Sequence, residues 1–221
     1  MKQPTRRPAR GAPASRRPAT IATDADTTRE RILAAARPLF AEHGFAGTSI
    51  RDITTAAGVN LAAVTYHFTT KQLLYVAVLE QIVGPIGARI EQATQGDAPA
   101  LDRIERVVRA FFDHIRHNPD MPSFMVREMA SGRALSGPIV DTLSRALPAV
   151  ATVIAHGQQR GEIRAGDPLL LTLSTIAQPV YLYLARPAIA QVAGIDPNDP
   201  AVADRILAHV VTTVRAALEQ R

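Results

Sequence analysis

The sequence predicts an all-α protein. Three observations carry that reading. Apolar residues recur at helical spacing along nearly all of the chain beyond residue 26, glycine and proline punctuate it at intervals of about one helix, and no stretch alternates with the two-residue period of a strand. At 221 residues and 47% hydrophobic, the chain can bury a substantial core as one domain or two small ones.

Residues 1–26 stand apart. They hold Lys2, Arg6, Arg7, Arg10, Arg16 and Arg17 against Asp24 and Asp26, so most of the formal charge of +5 falls there and the rest of the chain is near neutral. Pro4, Pro8, Pro13 and Pro18 interrupt a segment with almost no large apolar residue, which reads as a disordered basic arm. No apolar stretch follows the basic start, so a secretory signal is not expected, and four prolines spoil the amphipathic helix of a transit peptide. A cytoplasmic protein is expected. The absence of cysteine fits a reducing compartment and excludes disulfides, thiol catalysis and cysteine-ligated zinc.

The first helix is expected to open on a capping box, Thr27-x-x-Glu30, and to run through Ile32, Leu33, Ala36, Leu39 and Phe40. Gly44 would end it in a left-handed conformation, with Phe45 folding back over the end and Pro38 bending it midway. A second helix starts near Thr48 or Ser49, places Ile50, Ile53 and Ala57 on one face, and breaks at Gly58. Asn60 can cap a third, Leu61 to about His67, and Thr70 a fourth that begins at Lys71 and should kink or stop at Gly84-Pro85. Further helices are expected at 100–117, 120–132, 136–161, 168–192 and 200–220. The charge-free run Pro168 to Ala185 is short for a membrane span and contains Thr172, Ser174, Thr175, Gln178 and Pro179, so it reads as a core or interface helix.

Residues 48–71 carry the chemistry. Two short helices joined by a glycine turn form a helix-turn-helix, whose second helix can enter a DNA major groove. From Asn60 onward that helix is slim: Leu61, Ala62 and Ala63 let its backbone approach base edges and touch thymine methyls, and Thr65 can hydrogen-bond a base. Thr48, Arg51, Tyr66, His67 and Lys71 around it can donate to phosphate oxygens. Lys71 is one of only two lysines and sits at a helix N-terminus, against the dipole, where a bound anion would offset the penalty.

The run from Thr27 to about Leu74 closely resembles the tetracycline-repressor (TetR) family of bacterial regulators. The resemblance lies in Arg31-Ile32-Leu33-x-Ala35-Ala36-x-x-Leu39-Phe40, His43-Gly44-Phe45, Thr48-x-Ile50-Arg51-Asp52-Ile53, Ala56-Ala57-Gly58-Val59, Tyr66-His67-Phe68 and Lys71. It implies a homodimeric regulator, usually a repressor, with an N-terminal three-helix DNA-binding domain and a C-terminal helical domain for effector binding and dimerisation. The division expected is arm 1–26, DNA-binding domain 27–75 and effector domain 76–221. Many members carry an aromatic residue where this chain has Thr65, so the operator sequence does not transfer. A palindromic double-stranded operator is the expected partner, with the basic arm adding affinity rather than specificity.

In the C-terminal part, Phe111, Ile115, Phe124, Met129, Gln178 and Tyr181 are the expected lining of a pocket for a small, largely hydrophobic effector. Pro179 frees the carbonyl of Thr175, either as a polar handle for a ligand or simply as a kink. Val202, Ile206, Val210, Val214 and Leu218 form a stripe on the last helix, and the last two helices are the expected dimer interface. His114-x-x-His117 with Asp113 and Asp120 has donors that could bind zinc but reads better as an exposed helix end, so no metal or other cofactor is expected. No Gly-x-Ser-x-Gly, phosphate-binding glycine loop or His-Glu-x-x-His occurs. The alternatives are a helical enzyme with a site that leaves no motif and an architectural DNA-binding protein without an effector.

Overall fold

A computed structural model describes residues 24–194, 196 and 199–220. The basic arm up to residue 23 lies outside the described residues, as does part of the segment between Gly194 and Pro200. Among the described residues ten helices follow one another: α1 Asp24–Gly47, α2 Ile50–Ala57, α3 Leu61–Phe68, α4 Lys71–Ala93, α5 Ala100–His117, α6 Met121–Ala130, α7 Gly137–Gln159, α8 Pro168–Leu184, α9 Arg186–Ala193 and α10 Pro200–Leu218. Among the described residues the only strand-like pairing is an isolated bridge between Ile163 and Glu219.

Helix α1 begins a turn earlier than expected. Asp24 is its first residue and Asp26 puts a carboxylate in the first turn, where it suits the helix dipole, so Thr27 lies inside the helix instead of capping it. Gly44 breaks the helix with φ 71° and ψ 178°, a conformation closed to side-chain-bearing residues. Phe45 then turns back toward Phe40 and meets Tyr75 edge-on at 5.2 Å.

Helices α1 to α3 bury Ile32, Leu33, Ala36, Phe40, Ile53, Val64 and Phe68 in a small shared core. Helix α4 leaves that core and runs on without stopping at Gly84-Pro85, burying nine residues from Leu74 to Ile90. It therefore crosses the expected domain boundary at 75/76 as one rod. By length and composition α4 and α7 could each cross a membrane, but they pack against each other in the middle of the helical body.

The 168–192 helix is two helices. The chain bends by 57° between α8 and α9, where Pro187 enters the first turn of α9 and withholds an amide from the preceding turn. Pro179 does not break α8, which continues across it to Leu184.

The stripe on α10 needs a larger correction. Val210, Val214 and Leu218 are buried inside the protomer, and α10 packs on α5, tied there by Arg215, which reaches Asp102 at 2.8 Å and Glu105 at 3.0 Å. Those valines are core of this chain and cannot also face a second copy. Val210→Asp would bury an uncompensated charge, at a cost of roughly 3–5 kcal/mol. A urea melt should show the protomer itself destabilised, and a folded Val210→Asp monomer with an unchanged midpoint would refute this packing.

Candidate nucleic-acid interface and effector cavity

The turn is built by local chemistry. Ser49 caps α2 by accepting from the Asp52 amide, and the Asp52 carboxylate returns a bond to the Ser49 amide at 3.1 Å. Those bonds, with the Ser49 hydroxyl, hold the Asp52 carboxyl below the usual carboxylate range. Gly58 ends α2 in the left-handed conformation, and the Arg31 guanidinium from α1 donates to the carbonyls of Ala57 at 2.8 Å and Gly58 at 3.2 Å. Asn60 spends its side-chain oxygen on the Ala63 amide at 2.9 Å, so it sets the start of α3.

With Val64 and Phe68 turned inward, α3 presents Leu61, Ala62, Thr65 and Tyr66 to solvent, Tyr66 at 79% exposure. The Thr65 hydroxyl donates to the Leu61 carbonyl at 3.1 Å and keeps its lone pairs outward. His67 is half-buried beside Tyr66, and Arg51 on α2 is exposed. Thr69, between α3 and α4, is the one non-glycine residue with positive φ among the described residues.

Two expected phosphate donors have partners inside the protein. Thr48 is buried, and its hydroxyl shares its proton between the carbonyls of Leu39 and Gly44 at 3.0 and 2.9 Å. It braces the α1–α2 corner and has no proton left for phosphate. Lys71 donates to the Thr48 carbonyl at 2.6 Å and lies over the Phe45 ring at 4.5 Å. Its charge at the helix start is thus met by a carbonyl and a ring face, two partners from outside its own helix.

A cavity of about 460 Å³ lies between α4, α5, α6, α7 and α8. Of the six residues expected there, Phe111, Met129 and Tyr181 line it. Ile115 is fully buried in the core and does not reach the cavity. Phe124 faces the other side of α6, in an aromatic cluster with Tyr75, and Gln178 lies off the α8 face that presents Leu173, Ile176, Ala177, Val180 and Tyr181. Met121 and Met125, missed earlier, complete with Met129 a stripe at every fourth residue, a spacing that was visible in the sequence.

Helix α6 is two-faced. While that methionine stripe meets the cavity, another side touches α1 of the N-terminal head and α4. At its start Asp120 accepts from Arg37 of α1 at 2.6 Å, a pairing that holds the guanidinium proton even more firmly than usual. Arg127 reaches the Glu42 carbonyl at 3.1 Å. Buried Glu128 accepts from the Tyr75 hydroxyl at 3.0 Å and from the Ser136 hydroxyl at 2.6 Å, and burial together with that carboxylate pushes the pKa of the tyrosine hydroxyl far above its ordinary value.

His114 is a buried strut. Its Nε2 donates to the Ile82 carbonyl of α4 at 2.7 Å, while His117 is exposed and its ring bonds back to its own helix. No group of three or more potential metal-ligating side chains gathers among the described residues.

The fold and its two sites define a helix-turn-helix DNA-binding regulator with a ligand-sized cavity in its helical body. Residues 32–78 match the family model described as bacterial regulatory proteins, tetR family, and residues 101–214, just over half the chain, match the tetracyclin repressor-like C-terminal domain. The HTH-type transcriptional regulator RutR of Escherichia coli K12 is 26% identical over 197 residues, 87% of this chain and 91% of that protein. The HTH-type transcriptional repressor NicS of Pseudomonas putida is 27% identical over 179 residues, 76% of this chain and 81% of that protein. The ketosteroid transcriptional regulator KstR2 of Mycobacterium tuberculosis shares the fold, with a TM-score of 0.70 at 21% identity over 87% of this chain and 95% of that one. The chain belongs to the TetR family. It is a DNA-binding transcriptional regulator and not an enzyme, of a family that works as dimers on operator DNA and answers to small-molecule effectors.

Burial and the neighbouring Arg89 hold the His114 pKa below the ordinary histidine range, with desolvation the larger cause. A depressed folded-state pKa means its contribution is complete above that range and is lost as pH falls through it toward the folded value. Urea midpoints should therefore drop on acidification, and the drop should be shallower in His114→Gln. Parallel profiles for the two proteins would remove His114 as the cause.

Proposed function

We propose that this regulator is a ligand-responsive repressor that binds a two-fold symmetric operator as a homodimer in the cytoplasm, residues 27–75 forming the DNA-binding head and 76–221 the effector and dimerisation body. The observation that carries the DNA-reading part is the exposed face of α3. Leu61 and Ala62 meet thymine methyls, the Thr65 hydroxyl accepts from a base amino group, and Tyr66, His67 and Arg51 reach the flanking phosphates. Lys71 keeps two ammonium protons beyond its bond to Thr48 and adds a phosphate contact from the start of α4. Asn60 acts through the helix start it caps.

The body supports the rest. Leu169 and Leu170 are exposed at the start of α8, and the small side chains Ala208 and Thr212 are exposed on α10. These outer faces, not the buried stripe, are the dimer surface we assign to the last helices. An effector in the cavity pushes on the methionine face of α6. That displaces Asp120 against Arg37 and Glu128 against Tyr75, and so shifts the heads away from the spacing of about 34–36 Å that successive major grooves require.

Selection of bound sites from a random DNA pool should return inverted repeats. Thr65→Ala should relax preference at particular base pairs, by about 1–3 kcal/mol there, while leaving the rest of the site intact. Unchanged preference at every position would remove α3 as the reading helix.

Leu169→Asp with Leu170→Asp, at two exposed positions, should leave the protomer folded and shift sedimentation to the monomer. A persistent dimer would place the interface elsewhere.

A further inference from the structure

The wall of the cavity carries no charge. Eighteen side chains form it, and only Thr142 and Tyr181 among them bear a hydroxyl. Thr142 is buried, and its hydroxyl already donates to the Val83 carbonyl at 3.3 Å. Tyr181 stands at the exposed rim together with Met129. Helix α8 contributes no charged residue at all from Pro168 to Leu184.

Three charged residues on the other walls are engaged away from the lining. Glu128 is held by Tyr75 and Ser136, Arg89 pairs with Asp113, and Arg145 bonds the Asp141 carbonyl of its own helix. An ionised head group entering this space would lose its water and find neither a counter-charge nor a free interior donor, which an apolar environment penalises heavily. The methionines cost nothing in charge and can reshape around a hydrocarbon body.

We infer that the effector is a neutral, largely hydrocarbon molecule, an alcohol, ketone or ester rather than a carboxylate, phosphate or ammonium. Its single polar group is met at the exposed rim by the Tyr181 hydroxyl, beside Met129. This rests on the reading of the cavity as the effector site. It extends that reading to the charge class, on which apolar lining residues alone are silent.

The test uses the full-length protein and two probes that share one hydrocarbon chain, decanol and decanoate, titrated calorimetrically in buffer well above the carboxylic acid pKa. Decanol should bind at least about ten-fold more tightly, the signature of an uncompensated charge. Met129→Lys places an ammonium at the exposed rim, where it does not threaten folding, and should narrow that ratio by strengthening decanoate binding. Decanoate binding as tight as decanol to the parent protein overturns the charge class while leaving the cavity as a site. Binding of neither probe overturns the cavity as an effector site and the class with it. A ratio unmoved by Met129→Lys shows that the head group never meets this wall, and also overturns the inference.

Discussion

Everything in this molecule hangs on the burial of α4. The helix starts under the DNA-binding unit, where Lys71 grips the Thr48 carbonyl, and ends beyond the cavity, whose wall includes its Val83, Ile86 and Ile90. Its buried residues are in contact with α1 at one end and with α5 and α7 at the other. Each large apolar side chain taken out of water there contributes roughly 1.5–3 kcal/mol, so the rod cannot detach from either group without losing several such terms. Head and body are joined by a stiff, packed element instead of a linker, and a change in cavity shape has a mechanical route to the turn.

That route has a second strand in α6. Only ten residues long, it splits its faces between the cavity and the head. Phe124 joins Tyr75, Phe40 and Phe45 in an aromatic cluster that seals the junction, with Tyr75 5.0 Å from Phe40 and 6.1 Å from Phe124. The polar bonds around that cluster are few and directional. Arg37 to Asp120 crosses from α1 to the start of α6, and Tyr75 to Glu128 crosses from α4 to its far end. A carboxylate as buried as Glu128 is tolerable because three donors surround it, the Tyr75 hydroxyl and the amide and hydroxyl of Ser136. Moving α6 would break that satisfaction, so the three bonds hold its far end in place.

The sequence was legible wherever a local rule decided the structure. Ser49, Asn60 and Thr70 cap the helices they precede, and Gly58 ends α2, because side-chain caps and left-handed glycines act within a few residues. The bounds of α5 follow from Pro99 and from the Asn118-Pro119 pair, breaks that are equally local. What stayed hidden was the identity of the partner across a gap in sequence. Thr48 is a polar residue before a helix and looks free, yet its hydroxyl is spent on Leu39 and Gly44. Lys71 looked like an unmet charge because its partners, the Thr48 carbonyl and the Phe45 ring, come from other elements.

The two errors in the body share one cause. An apolar stripe on a helix records that something covers it, not whether the cover is the same chain or another. On α10 the cover is α5, which leaves that helix's small and polar outer side as the face open to a second copy. On α6 the apolar residues belong to two stripes, Met121, Met125 and Met129 toward the cavity and Phe124 toward the head. Phe124 and Met125 are adjacent in sequence and point to opposite tasks. On the proposed reading, that division is what makes the helix useful: a ligand has to rearrange only flexible thioethers to enter, and the rearrangement is felt as backbone displacement once those thioethers run out of freedom. Small apolar molecules would then fill the cavity without consequence, and only a body large enough to exhaust the methionine stripe would move Asp120 and Glu128. Response would depend on ligand size as well as on affinity, since a ligand shifts an equilibrium only by its differential interaction with the two states.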